Sequence, residues 1–180
     1  FFHFTVSAMG QPEPVENENP VLVALDLSDR SEQCLAHACD MAVKFGRPLI
    51  LAHVVHETAE NAGMYRRHQQ VVDTTPLTDI ARVMLEERVA EFRENCVGLD
   101  KVCDIELVVV AGVPDTRLVE LAARYDVSMI VICSHNRKGL SHWLYGSVTE
   151  SVVRNATCPV VVVGQGDGTF EPLSVHRPLA

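Results

Sequence analysis

The sequence predicts an α/β fold, one five-stranded parallel sheet with helices on both faces. Three observations carry this. Five short runs are apolar without alternation, as strands buried on both faces must be. Between them lie longer segments whose apolar residues recur at three- and four-residue spacing, the pattern of helices that bury one stripe. Strand and helix alternate throughout, and neighbouring parallel strands need such crossovers, which should be right-handed.

The first run is Val21–Leu25, ending in Asp26-Leu27-Ser28-Asp29. Asp29 and Glu32 have capping-box spacing for a helix that runs to about Phe45. Its stripe is Leu35, Ala38, Cys39 and Ala42, and Gly46 suits the left-handed stop position. Pro48–Val55 is the second strand. A polar stretch, residues 56–75, follows and contains Tyr65-Arg66-Arg67-His68; irregular connections of such length tend to be functional or mobile. Pro76 starts a helix reaching about Val97, with Ile80, Val83, Met84, Val89 and Phe92 expected on its apolar face. Asp104–Val110 is the third strand. Gly112-Val113-Pro114-Asp115 turns into a helix with Leu118, Val119, Leu121 and Ala122 inward. Met129–Cys133 is the fourth strand, Val148–Asn155 the fourth helix and Val160–Val163 the fifth strand. Residues 20–164 therefore form one domain, 1–19 a flexible N-terminal extension rich in Pro, Glu and Asn, and 165–180 a C-terminal tail without clear periodicity.

Composition bounds the function. A chain of 180 residues with 47% hydrophobic content can bury one substantial core. The formal charge of −9 argues against a general nucleic-acid surface. No apolar run approaches the roughly 20 residues that span a bilayer. The opening FFHFTVSAMG lacks a basic segment, so a signal peptide is not predicted. The six cysteines show neither CxxC nor metal-ligand spacing, and most lie in apolar periodic segments, which suits free thiols in the cytoplasm.

The chemistry concentrates between Val127 and Val163. There a strand leads into Ser134-His135-Asn136-Arg137-Lys138-Gly139, and Gly146-Ser147 opens a helix. A strand end, a basic loop and a helix N-terminus together make an anion site, because the first helical N–H groups and the dipole favour negative charge. This stretch resembles the nucleotide loop of the universal stress protein family, whose pattern is Gly, two residues, Gly, nine residues, then Gly-Ser or Gly-Thr. Gly146-Ser147 match its end, while the two earlier glycines fall on Cys133 and Asn136.

The resemblance spans about residues 20–164 and implies a sheet order of 3-2-1-4-5 in a Rossmann-like three-layer sandwich of the adenine-nucleotide alpha-hydrolase-like type. It implies ATP or another adenine nucleotide as ligand, with Mg as an accompanying cation. In that arrangement the strand order, not the strand direction, reverses between strands one and four, where open α/β sheets bind ligands. Asp26 and the loop after Cys133 both face that crevice. By resemblance Asp26 contacts base and ribose, and Val54 lies at the adenine. Cys133, Asn136, Arg137, Lys138, Gly146, Ser147 and Val148 surround the phosphates. Each residue also has a plain reading. Asp26 could serve only nearby loop amides, Cys133 could be a buried strand-end thiol rather than a redox sensor, and Arg137 and Lys138 could be solvated. Ser147 and Glu150 have capping-box spacing, which would occupy the Ser147 hydroxyl. Cys133 in place of glycine would be strained by about 1–2 kcal/mol if its φ were positive. Asn136 is the better glycine substitute.

Ser134, His135 and Asp26 do not make a hydrolase triad, since no nucleophile elbow is present. No Ser/Gly-rich pyrophosphate loop follows the first strand, which speaks against an adenylating ATPase. A non-enzyme with at most slow ATP hydrolysis is expected. The fifth strand is a bare apolar edge, and such edges are normally covered or paired. The resemblance pairs it with a second copy, giving a homodimer through residues 158–163. Two readings stay open: a nucleotide-binding stress sensor, and an interaction module of the same fold that has lost its nucleotide and acts through a protein partner.

Overall fold

The structure is a computed structural model that describes residues 19–28, 31–56, 75–95, 98–134, 146–164 and 172–176. Its sheet runs, in spatial order, Ile105–Ala111, Leu49–Val55, Val21–Ala24, Met129–Cys133, Val160–Val163 and Pro172–His176. The first five strands are β1 (Val21–Ala24), β2 (Leu49–Val55), β3 (Ile105–Ala111), β4 (Met129–Cys133) and β5 (Val160–Val163), all parallel. The helices are α1 (Ser31–Phe45), α2 (Leu77–Asn95), α3 (Pro114–Arg124) and α4 (Ser147–Asn155), with a short 3-10 turn at Leu99–Lys101.

Alternation along the strands makes the layers. Val21, Val23, Leu49, Leu51, Val131, Val161 and Val163 pack toward α1 and α2, around Leu35, Leu85, Val89 and Phe92. Their neighbours Leu22, Ile50, Ala52, Ile130, Ile132, Val160 and Val162 pack toward α3 and α4, around Leu118, Leu121 and Val152. Both faces of each strand are covered, which explains runs that are apolar at every position.

The helix ends follow from local chemistry. Gly46 has φ +62 and closes α1, with its N–H on Val43 O at 3.3 Å and that of Arg47 on Ala42 O at 2.8 Å. These are the two bonds of a Schellman stop. Pro114 opens α3, where a missing N–H costs nothing.

Three expectations are corrected. On α2, Val83 is 51% exposed, while Ala81 and Leu85 are fully buried. At about 100° per residue, Val83 lies two steps, or roughly 200°, from both, on the opposite side of the helix. Ser147 is the first helical residue rather than a cap: Gly146 occupies the cap position without a side-chain bond, and Glu150 turns instead to Arg154 at 2.6 Å. The tail also supplies a strand. β6 (Pro172–His176) pairs antiparallel with β5, register Val161 to Val175, with an irregularity between Val161 and Val163. The fifth-strand edge is therefore covered from within the chain. Asp29, the expected capping residue of α1, lies outside the described residues, as does nearly all of the 56–75 stretch.

Candidate functional site

The crevice opens where the sheet order reverses, at the carboxyl ends of β1 and β4. β1 delivers Asp26 there. Its Oδ1 accepts from Ser28 N at 3.0 Å, Ser28 Oγ at 2.7 Å and Ser31 Oγ at 2.6 Å. One carboxylate oxygen thus folds the turn and fastens the first residue of α1. The turn passes through Leu27 at φ 61, a left-handed conformation that costs a non-glycine residue on the order of 1–2 kcal/mol. The buried Leu27 side chain and the Asp26 bonds hold it there.

β2 forms the wall beside it. Ala52 and Val54 supply apolar surface, and between them His53 is buried, its Nδ1 2.7 Å from Leu25 O. A carbonyl only accepts, so Nδ1 carries the proton. Burial lowers the His53 pKa and outweighs the opposing pull of that carbonyl and of Asp26. His53 is therefore a neutral polar wall of the crevice. His56 reaches Gly112 O with Nδ1 at 3.1 Å. Gly112 has φ +142, and a Cβ there would meet Arg117 Nε at 2.6 Å, so this turn between β3 and α3 requires glycine.

β4 and α4 complete the site. Cys133 keeps strand geometry, paired in register with Val163, and the positive-φ non-glycine residues among those described are Leu27 and Asp126. The strain foreseen for a side chain in place of this glycine does not arise; Cys133 instead contributes to the crevice lining. Thr149, buried on the first turn of α4, donates through Oγ1 to Cys133 O at 3.3 Å and holds helix and strand together. The α4 ladder begins with Glu150 N on Gly146 O at 3.0 Å, so the amides of residues 147–149 precede it at the positive end of the dipole.

These elements enclose a cavity of about 400 Å³. Leu118, Ile132, Ala52 and Val54 give it an apolar side; Asp26, Ser31, His53, His56, Ser147 and Thr149 give it a polar one. Size and mixture suit a small organic ligand. Of the residues singled out in the sequence, Asp26, Val54, Cys133, Gly146, Ser147 and Val148 line this one cavity. Asn136, Arg137 and Lys138 lie outside the described residues. The sequence reading gave no role to Ser31, His56 or Thr149, and it passed over His53, whose signal was a lone polar residue inside an apolar strand.

Comparison with known proteins agrees with this architecture. The universal stress protein family profile matches residues 18–164. A universal stress protein of Mycobacterium tuberculosis, Rv2005c, is 33% identical over 156 residues, covering 86% of this chain and 48% of the relative. The chain thus spans about half the length of that protein. The universal stress protein from Archaeoglobus fulgidus, solved in complex with dAMP, superposes with a TM-score of 0.55 at 23% identity, covering 79% of this chain and 95% of its own. A universal stress protein in complex with cAMP superposes at 0.52 and 23% identity, covering 83% of this chain and all of its own. Identities this low establish the fold; the profile match over most of the chain establishes more. The chain belongs to the universal stress protein family.

Proposed function

We propose that this chain is a regulatory module of the stress response that binds an adenine nucleotide, ATP foremost, in the crevice between β1 and β4. The carrying observation is that six residues selected along separate parts of the sequence line one cavity of about 400 Å³. Solved relatives of this fold hold dAMP and cAMP, which supports an adenine ligand. On this reading the base lies against Val54 and the apolar wall, and Asp26 meets a ribose or base donor. The α4 amides face phosphate oxygens, where Arg137 and Lys138 add charge and Mg accompanies the phosphates. The module senses nucleotide rather than turning it over, with hydrolysis slow at most. It works in the cytoplasm, in keeping with the free thiols of the described cysteines; no described helix is long and apolar enough to cross a membrane.

The assembly proposed is a homodimer at the β5 side of the sheet, around residues 158–163. Because β6 occupies that edge, a second copy either adds beyond β6 or replaces it. The competing reading is a module without nucleotide that works through a protein partner. It draws support from Cys133 and Asn136 at glycine positions, and from Asp26 Oδ1 already serving three donors.

Isothermal titration with Mg-ATP, after any co-purified nucleotide is released and identified, separates the two. Micromolar binding or a retained adenine nucleotide supports the sensor. Absence of binding at millimolar ATP sinks it and turns the search to protein partners.

A further inference from the structure

Beneath Asp26 two thiols meet. Cys34, on the first turn of α1, has none of its surface exposed. Cys133, half-buried at the end of β4, lines the cavity. α1 packs across β4, and Cys133 packs against the apolar cluster that contains Cys34, near enough to raise the Cys34 pKa. We propose that Cys34 and Cys133 form a redox pair, oxidised by a peroxide entering through the crevice to a disulfide that ties α1 to the carboxyl end of β4. The inference is independent of whether a nucleotide binds.

The two positions divide the chemistry. The attacking species toward peroxide is a thiolate with access to the oxidant, and of the two sulfurs Cys133 is the one at the cavity. Its thiolate attacks a peroxide oxygen; the O–O bond breaks, Cys133 becomes a sulfenic acid, and the departing hydroxide takes a proton to leave as water. Cys34 then acts as resolving thiol. The neighbouring Cys133 side chain, burial and the nearby Asp26 carboxylate push its pKa well above the usual thiol value, so it waits as S–H. Its sulfur attacks the sulfenic sulfur, the S–S bond forms, the S–O bond breaks, and the hydroxyl leaves as a second water with the Cys34 proton. In balance, two thiols lose two electrons and two protons, and one hydrogen peroxide becomes two waters. Burial of Cys34 keeps it from other partners. Cys103, by contrast, is an exposed free thiol.

The test uses the full reduced chain. Stoichiometric hydrogen peroxide is added, remaining thiols are alkylated, and a non-reducing digest is mapped by mass spectrometry. The expected product is a Cys34–Cys133 linked peptide, an intact mass lower by two hydrogens, and recovery of both thiols with dithiothreitol. Cys34→Ala should leave Cys133 as a sulfenic acid captured by dimedone and then carried on to the sulfinic acid. Recovery of Cys34 as an alkylated free thiol after Cys133 has been oxidised in the unmodified protein would overturn the proposal. So would peroxide reacting at Cys103 while the pair stays reduced. The unmodified protein's peptide map decides the question by itself should Cys34→Ala fail to fold.

Discussion

Replacing Asp26 tests whether this carboxylate is structural, ligand-binding or both. Oδ1 accepts three hydrogen bonds at 2.6–3.0 Å, from the Ser28 amide and the Ser28 and Ser31 hydroxyls. Asp26→Ala strands all three donors in a half-buried turn. At about 1 kcal/mol for each bond, the loss is about 3 kcal/mol. For a domain of this size, each kcal/mol moves Tm by roughly 2–4 °C, so Tm should fall by about 6–12 °C. Asp26→Asn keeps an acceptor at Oδ1 and removes the charge, and should cost about 1 kcal/mol. Differential scanning calorimetry reads both. On the nucleotide reading, the Asn variant should fold and still bind ATP at least about tenfold more weakly, worth about 1.4 kcal/mol. An Ala variant melting within about 2 °C of the parent would refute the structural role worked out from these bonds. Undiminished ATP affinity in the folded Asn variant would remove the carboxylate from the ligand.

Three other outcomes are expected. Leu85→Ala, at a fully buried site, should cost about 2–5 kcal/mol in urea unfolding, whereas Val83→Ala on the exposed side of α2 should change stability by under about 0.5 kcal/mol; equal costs would mean the helix face is misassigned. Because burial holds the His53 pKa below 6.5, the unfolded chain takes up a proton there that the folded chain does not. His53 should therefore add to a loss of stability as pH falls below about 6.5, and His53→Asn, which can still donate to Leu25 O, should make the urea midpoint less steep with pH in that window. Deleting the residues after Gly164 removes β6 from the β5 edge, and dilution followed by light scattering should show a tighter dimer if the second copy replaces β6 and a weaker one if it adds beyond it; an unchanged dissociation curve would take that edge out of the assembly.

What the sequence disclosed depended on whether a residue's environment is set locally. Strands β1 to β5 were readable because sandwiching between helix layers forces every position to be apolar. Their order came from family resemblance, since periodicity carries no information on which strands adjoin. β6 was not readable: its extended state is imposed by the edge it pairs with rather than by a pattern of its own. On α2, apolar residues at 80, 81, 83, 84, 85, 89 and 92 surround more than one face. The choice of Leu85 over Val83 for the buried face could be made only by the packed sheet. At the site, the position of Asp26 followed from its place at a strand end, whereas its Ser28 and Ser31 donors depended on where α1 begins. The Ser147–Glu150 spacing misled because Gly146 takes the cap position, leaving Glu150 to pair with Arg154 one turn on.

The same reasoning ranks ligands by charge. The described lining contains Asp26 but neither lysine nor arginine, so the α4 N-terminus is the element there that favours phosphate. Such a terminus contributes about 0.3–1 kcal/mol toward an anion, roughly a 2- to 5-fold gain in affinity. Cys133, in strand geometry, offers a side chain where the family pattern offers bare backbone. On the proposed reading, a strong preference for ATP over adenosine would draw on Arg137 and Lys138, residue types whose cations can pair with phosphate oxygens. Titrating adenosine, AMP and ATP into the parent and into Arg137→Ala/Lys138→Ala measures this division. The parent should prefer ATP to adenosine more than about tenfold, and the double variant should retain only the 2- to 5-fold contribution of the helix. If the double variant keeps the parent's full preference, the two cations take no part in holding phosphate, and the anion site must be sought along the α4 amides alone.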